Sequence, residues 1–100
     1  MNSAENLLTV ANEEATELAQ ALDKVIRFGP QGYHPEHPGE TNEFLVMKEY
    51  TQLIAVMEML EDAGIIHSLP LPQWDEIRTA KKDAVIKYSE VSKKIGTLKD

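Results

Sequence analysis

Two breaks rich in proline and glycine divide this chain into three stretches with helical periodicity. The first break, residues 29–41 (GPQGYHPEHPGET), contains three prolines and three glycines, and the second covers residues 64–72. Proline cannot continue a helix because it lacks an N–H, and glycine is favoured just beyond a helix C-terminus. We therefore predict three helices, over residues 3–28, about 42–63 and about 73–95.

The ends of these stretches carry the expected capping residues. Asn2 or Ser3 can cap the first helix, and Asn2 has capping-box spacing to Glu5. Thr41 or Asn42 can cap the second. Three amphipathic helices leave an apolar stripe uncovered, and the chain has no room for a fourth helix of similar length. We expect one all-α domain over residues 1–100 that completes a four-helix-type bundle by oligomerisation, as a homodimer or homotetramer.

Composition and charge exclude several classes of protein. Cysteine is absent, which excludes disulfides and thiolate metal sites. The net charge of −7 argues against nucleic-acid binding, which relies on a basic surface. No secretory signal and no membrane-spanning stretch is recognisable, so we expect a cytoplasmic protein that does not bind membranes. Residues 1–65 carry 12 acidic and 3 basic side chains, whereas residues 66–100 carry 5 and 7.

A glutamate occupies the middle of the apolar stripe on each of the first two predicted helices. On a helical wheel, apolar residues fall within about 40° of Glu14 and of Glu49. Glu17 and Gln52 each follow three residues later, about 60° to the same side. The stripe residues are Leu7, Val10, Leu18, Ala21 and Val25 around Glu14, and Leu45, Leu53, Val56 and Leu60 around Glu49.

This repeated design predicts a metal site. Burying an ionised carboxylate without compensation is costly, and two such groups on facing stripes would repel each other. A hard divalent cation removes both problems, because Mg²⁺ takes carboxylate oxygens and keeps positions for substrate phosphates. The predicted ligands are Glu14, Glu17, Glu49 and Gln52. The alternative is that each glutamate lies at a stripe edge and extends to water.

Three stretches of the chain resemble the MazG-like nucleoside triphosphate pyrophosphohydrolases, especially short phage and bacterial members. Residues 13–29 (EEATELAQALDKVIRFG) resemble the first acidic motif of the family, Glu-Glu-x-x-Glu in an apolar helix, with its Lys-x-x-Arg-Phe-Gly ending. Residues 45–60 (LVMKEYTQLIAVMEML) resemble the second motif, Glu-x-x-Asp. Residues 81–98 look like the basic closing helix of the same members.

The resemblance covers nearly the whole chain and implies a function. Members of this family are all-α, oligomeric hydrolases that depend on Mg²⁺, with Mn²⁺ as an alternative ion. They cleave nucleoside or deoxynucleoside triphosphates to a monophosphate and pyrophosphate. By position, Glu14 and Glu17 match the first acidic pair, and Glu49 matches the first acid of the second motif.

One position departs from the family pattern. Gln52 stands where the second motif has Asp, and its amide oxygen can coordinate Mg²⁺ but brings no charge. Glu13 lies about 100° from Glu14 on the wheel, which favours orienting water over direct ligation. We expect Glu13 or Glu14 to accept the proton of the attacking water.

Four further residues are candidate substrate ligands. Lys24 lies on the same side of the first helix as Glu17, so it could reach phosphates or remain at the surface. Arg27 would need the following loop to fold back. Lys81 lies about 40° from the centre of the third apolar stripe and either faces the bundle or extends to water. Tyr88 lies on that stripe as a substrate contact or as part of the core.

Three hypotheses remain open at this point. The chain is an active pyrophosphohydrolase, or a nucleotide-binding or regulatory module weakened by Gln52, or a helical oligomer without a ligand. Buried acids argue against the third hypothesis, and Gln52 alone separates the first two.

Overall fold

The computed structural model describes all 100 residues and is all-α, as predicted. Its helices are α1 (Ser3–Phe28), α2 (Asn42–Asp62) and α3 (Leu71–Lys94), and it contains no strand. The bounds of α1 match the prediction, and α2 ends one residue earlier than predicted. None of the three helices is both long enough and apolar enough to cross a lipid bilayer.

Side-chain caps define the start of α1 and α2. The Oδ1 of Asn2 accepts a hydrogen bond from the N–H of Glu5 at 2.8 Å, and its Nδ2 donates to Glu5 Oε1 at 3.1 Å. At α2 the cap is Thr41, whose Oγ1 accepts from the N–H of Phe44 at 3.1 Å. Each cap satisfies a first-turn N–H that has no partner within the helix.

The apolar stripes expected from the sequence form the interface between α1 and α2, which pack against each other. Within residues 1–67, Leu60 and Ala21 are the most deeply buried apolar residues, at 2% and 6% exposure. The other stripe residues are half-buried, and so are Glu14 and Glu49. The half-buried apolar members are Leu7, Val10, Leu18 and Val25 on α1, and Leu45, Leu53 and Val56 on α2.

Hydrogen bonds join the two ends of the loop between α1 and α2 to each other. Asn42 is only 6% exposed, and its Nδ2 donates a hydrogen bond to the carbonyl oxygen of Gly29 at 3.1 Å. Its own N–H donates to Gly32 O at 2.8 Å, and Tyr33 forms an antiparallel bridge with Thr41. These bonds hold the end of α1 beside the start of α2, so the two helices run antiparallel.

Replacing Gly32 by alanine should destabilise this junction. A Cβ at Gly32 would lie 2.8 Å from the carbonyl oxygen of Phe28 and 2.9 Å from Asn42 Nδ2. Both contacts are closer than van der Waals distance, and overpacking of this kind costs about 1–3 kcal/mol. Thermal unfolding should therefore show a melting temperature lower by several degrees, at about 4–8 °C per kcal/mol for a small domain.

Gly39 in the same loop provides the matched control, because a Cβ there meets no atom within 4 Å. The Gly39→Ala variant should melt close to the wild type. Equal melting temperatures for the two variants would show that the close approach at Gly32 is not needed for stability.

Residues 68–100 form a separate compact unit built around α3. The helix begins at Leu71, two residues before the predicted start at Gln73. The prediction was wrong there because Pro72 lies in the first turn, where an N–H has no acceptor within the helix and proline is tolerated. The last turn is followed by Gly96 at φ 84°, a conformation that favours glycine. No residue of α3 is fully buried.

Candidate metal centre

Three carboxylates from the two predicted motifs meet at the interface of α1 and α2. One carboxylate oxygen from each of Glu14, Glu17 and Glu49 lies within 4.8 Å of the other two. Glu14 and Glu49 are half-buried and Glu17 is exposed. The antiparallel packing produces this meeting, because it brings the middle of one apolar stripe opposite the middle of the other.

Two carboxylate oxygens of these residues are buried without a hydrogen-bond partner. They are Glu14 Oε2 and Glu49 Oε2. Buried polar atoms in folded proteins are nearly always paired, because leaving one unpaired costs the desolvation of that group. Oxygen donors of this kind, gathered from three acids, are the ligands that Mg²⁺ prefers. The residues present therefore fit a hard divalent cation.

The electrostatics of the cluster disfavour three free negative charges. Burial raises the pKa of Glu49 above its ordinary value, the neighbouring carboxylates of Glu17 and Glu14 raise it further, and Lys48 opposes the change. Desolvation and like charge both favour the neutral form of a carboxyl group. A bound cation acts in the opposite direction, since it stabilises the ionised form.

A cleft of about 280 Å³ opens beside the carboxylates, and we call it the acidic cleft. Glu17 and Glu49 line it together with Lys24 and Gln20. Lys24, a predicted substrate ligand, is therefore brought to the site. Gln20 was not identified from the sequence, although it lies three residues beyond Glu17 and so on the same side of α1.

Gln52 lies on α2 with its side chain exposed. It lines a surface depression together with Lys48, Thr51, Phe44 and Met47, and this depression shares no residue with the acidic cleft. Its role as a fourth ligand stays a prediction.

The remaining predicted site residues lie in different places. Glu13 is exposed on α1, next to Glu14. The guanidinium carbon of Arg27 lies 5.0 Å from the centre of the Phe28 ring, at the end of α1. Lys81 and Tyr88 lie on α3, where both are exposed, and their predicted contacts with substrate remain predictions.

The burial of Asn42 was not predicted from the sequence. From the sequence, Asn42 was one of two candidate caps for α2. In the structure the cap is Thr41, and Asn42 is a buried polar side chain whose hydrogen bond holds the loop. Its position directly after a capping threonine gave no signal of burial. The signal that could have found it is its place at the end of a loop rich in glycine, where a carbonyl oxygen that becomes buried needs a donor.

Known proteins provide no further guide to the family of this chain. Comparisons with protein-family models, with curated proteins and with solved structures found no match. The resemblance to the MazG-like pyrophosphohydrolases therefore stays an expectation from the sequence, based on residues 13–29, 45–60 and 81–98.

Proposed function

We propose that this protein is a Mg²⁺-dependent nucleoside triphosphate pyrophosphohydrolase. The observation that carries the proposal is the meeting of Glu14, Glu17 and Glu49 within 4.8 Å, two of them with a buried, unpaired oxygen. These residues belong to the two motifs that resemble the MazG-like family. A structural helical oligomer would gain nothing from this arrangement, because unpaired buried carboxylates are destabilising.

In this proposal, different residues of the site bind the ion, accept the proton and neutralise the phosphate charge. Glu14, Glu17 and Glu49 would hold the ion, which when bound supplies positive charge for phosphate oxygens and acidifies water. Water attacks the α-phosphorus, the bond from that phosphorus to the bridging oxygen breaks, and pyrophosphate leaves. Glu13 or Glu14 accepts the proton of the attacking water. Lys24, in the acidic cleft, neutralises charge on the phosphates.

A second candidate function is nucleotide binding without catalysis. It is favoured by Gln52, which is uncharged, exposed and beside a different depression from the carboxylates. With three acids instead of four, the ion would be held less tightly. Such a protein would bind Mg²⁺ and nucleotide but release no pyrophosphate.

Pyrophosphate release separates the two candidates. The purified protein is incubated with each common NTP and dNTP, with Mg²⁺ or Mn²⁺, and with excess chelator as the control. We expect release of pyrophosphate and monophosphate in equal amounts, abolished by the chelator. Nucleotide binding without release under every condition would support the second candidate and reject the first.

We also propose that the protein assembles as a homodimer or homotetramer, which would complete a four-helix-type bundle. Large apolar side chains on the faces of α1 and α2 are more than a third exposed, and helices of this kind are stable when another element covers such faces. They include Leu8, Leu22, Ile26, Phe44, Met47, Ile54 and Met57. Light scattering at micromolar concentration should give a mass of at least two chains. A folded monomer would contradict the proposal.

A further inference from the structure

A second cleft adjoins the acidic cleft and differs from it in chemistry. Its volume is about 330 Å³, and Phe28, Tyr33, His34 and Asn42 line it. Lys24 and Leu45 line both clefts, so the two lie side by side. We call the second one the aromatic cleft. All of its residues belong to α1, α2 and the loop between them.

The walls of the aromatic cleft offer flat apolar surfaces. Phe28 is 63% exposed and Tyr33 is 56% exposed, so both rings are accessible to a ligand. Arg27 lies over the Phe28 ring at 5.0 Å. Aromatic and guanidinium planes bind a nucleobase by stacking, because every base has a π-face.

Two polar groups in the same cleft are held in defined positions. Asn42 donates a hydrogen bond from its Nδ2 to Gly29 O, which orients the side chain and leaves its Oδ1 as an acceptor. His34 Nδ1 accepts a hydrogen bond from the N–H of Glu36 at 3.1 Å. This bond places the proton of the neutral imidazole on Nε2, which is then a donor. One acceptor and one donor suit the edge of a nitrogen heterocycle.

We propose that the aromatic cleft binds the nucleobase of the substrate. The inference deepens the proposed function and rests on it, since the triphosphate would extend past Lys24 into the acidic cleft. Tyr33 stacks on the base, and Asn42 and His34 contact its edge. The Tyr33–Thr41 bridge and the bonds of Asn42 hold these groups in place before the substrate arrives, which lowers the entropy cost of binding.

The test compares a ligand that has a base with one that lacks it. Calorimetry measures the Kd of a non-hydrolysable nucleoside triphosphate analogue and of inorganic tripolyphosphate, both with Mg²⁺. The Tyr33→Ala variant should weaken binding of the analogue about tenfold, as expected for loss of one stacked base, and leave tripolyphosphate binding unchanged. The His34→Ala variant should change the preference among bases.

Two variants serve as controls. Tyr33→Phe keeps the ring and should bind the analogue nearly as well as the wild type. Gly39 lies in the same loop but does not line the aromatic cleft, and a Cβ there meets no atom within 4 Å, so Gly39→Ala should bind both ligands normally. An equal loss for both ligands in Tyr33→Ala would indicate a general role of the loop and overturn the proposal.

The outcomes also separate this inference from the proposed function. Normal pyrophosphate release with no effect of Tyr33→Ala on analogue binding would reject the base site alone. Analogue binding that depends on Tyr33, without any pyrophosphate release, would reject hydrolysis alone. A protein that binds no nucleotide would reject both.

Discussion

Replacing Glu49 by glutamine should abolish Mg²⁺-dependent pyrophosphate release and the rise in melting temperature that Mg²⁺ causes. Glu49 supplies one of the three clustered carboxylates and one of the two unpaired buried oxygens. We expect a loss of activity larger than 100-fold, because even an outer partner of a metal ligand is typically worth about 10–100-fold. Melting curves and release assays with and without Mg²⁺ measure both effects.

The same substitution should stabilise the metal-free protein at neutral pH. The pKa of Glu49 is raised by burial and then by the carboxylates of Glu17 and Glu14, so folding favours its neutral form. Because folding raises the pKa of this carboxyl group, its contribution to the stability of the folded protein is complete only below its ordinary pKa. That contribution is lost as the pH rises through the raised pKa. The advantage of Glu49→Gln should therefore be present at pH 7 and vanish towards pH 4.

An exposed glutamate on the same helix provides the control for these effects. Glu58→Gln removes one charge from α2 at a position outside the carboxylate cluster. It should leave the Mg²⁺-induced shift, the activity and the pH dependence of stability unchanged. If Glu49→Gln retained an undiminished Mg²⁺-induced shift, Glu49 would not be a ligand.

Replacing Gln52 by aspartate should increase the affinity for Mg²⁺ and destabilise the metal-free protein. Aspartate restores the charge that the second family motif carries, one turn beyond Glu49. Without metal, the added carboxylate repels the three acids. With metal, it adds an anionic ligand, which we estimate at about one to a few kcal/mol. Calorimetric titration with Mg²⁺ should show a Kd lower by about tenfold or more.

Thr51→Asp is the matched control for that substitution. Thr51 is exposed and lines the same surface depression as Gln52, so it tests whether any added charge in this region attracts Mg²⁺. A similar gain in affinity for both variants would indicate general electrostatic attraction. No change in Gln52→Asp, in either affinity or stability, would mean that residue 52 does not reach the ion and that the ion has three protein ligands.

Much of the fold followed from periodicity, because an apolar stripe at helical spacing identifies the buried face directly. Residues 3–28 were predicted as a helix with its correct bounds, and both stripe-centre glutamates are half-buried at the interface. The start of α3 could not be placed in the same way, since Pro72 is compatible with the first turn of a helix as well as with a connector.

The contacts that shape the site could not be predicted without the three-dimensional structure. A helical wheel shows which side a residue faces but not which loop atoms lie opposite. The close approach of Gly32 to Asn42 and the hydrogen bond from Asn42 to Gly29 both join the two ends of the loop. Neither contact has a local sequence pattern, so the aromatic cleft that they shape was not predicted.

Because the two ends of the loop are hydrogen-bonded to each other, the middle of the loop is separated from the packing of α1 and α2. The bonds that join Gly29 and Gly32 to Asn42, and Tyr33 to Thr41, set how α1 and α2 meet. Residues 35–40 lie between these bonded positions, and none of them belongs to the carboxylate cluster. This segment can therefore diverge in length and composition while the acids keep their register.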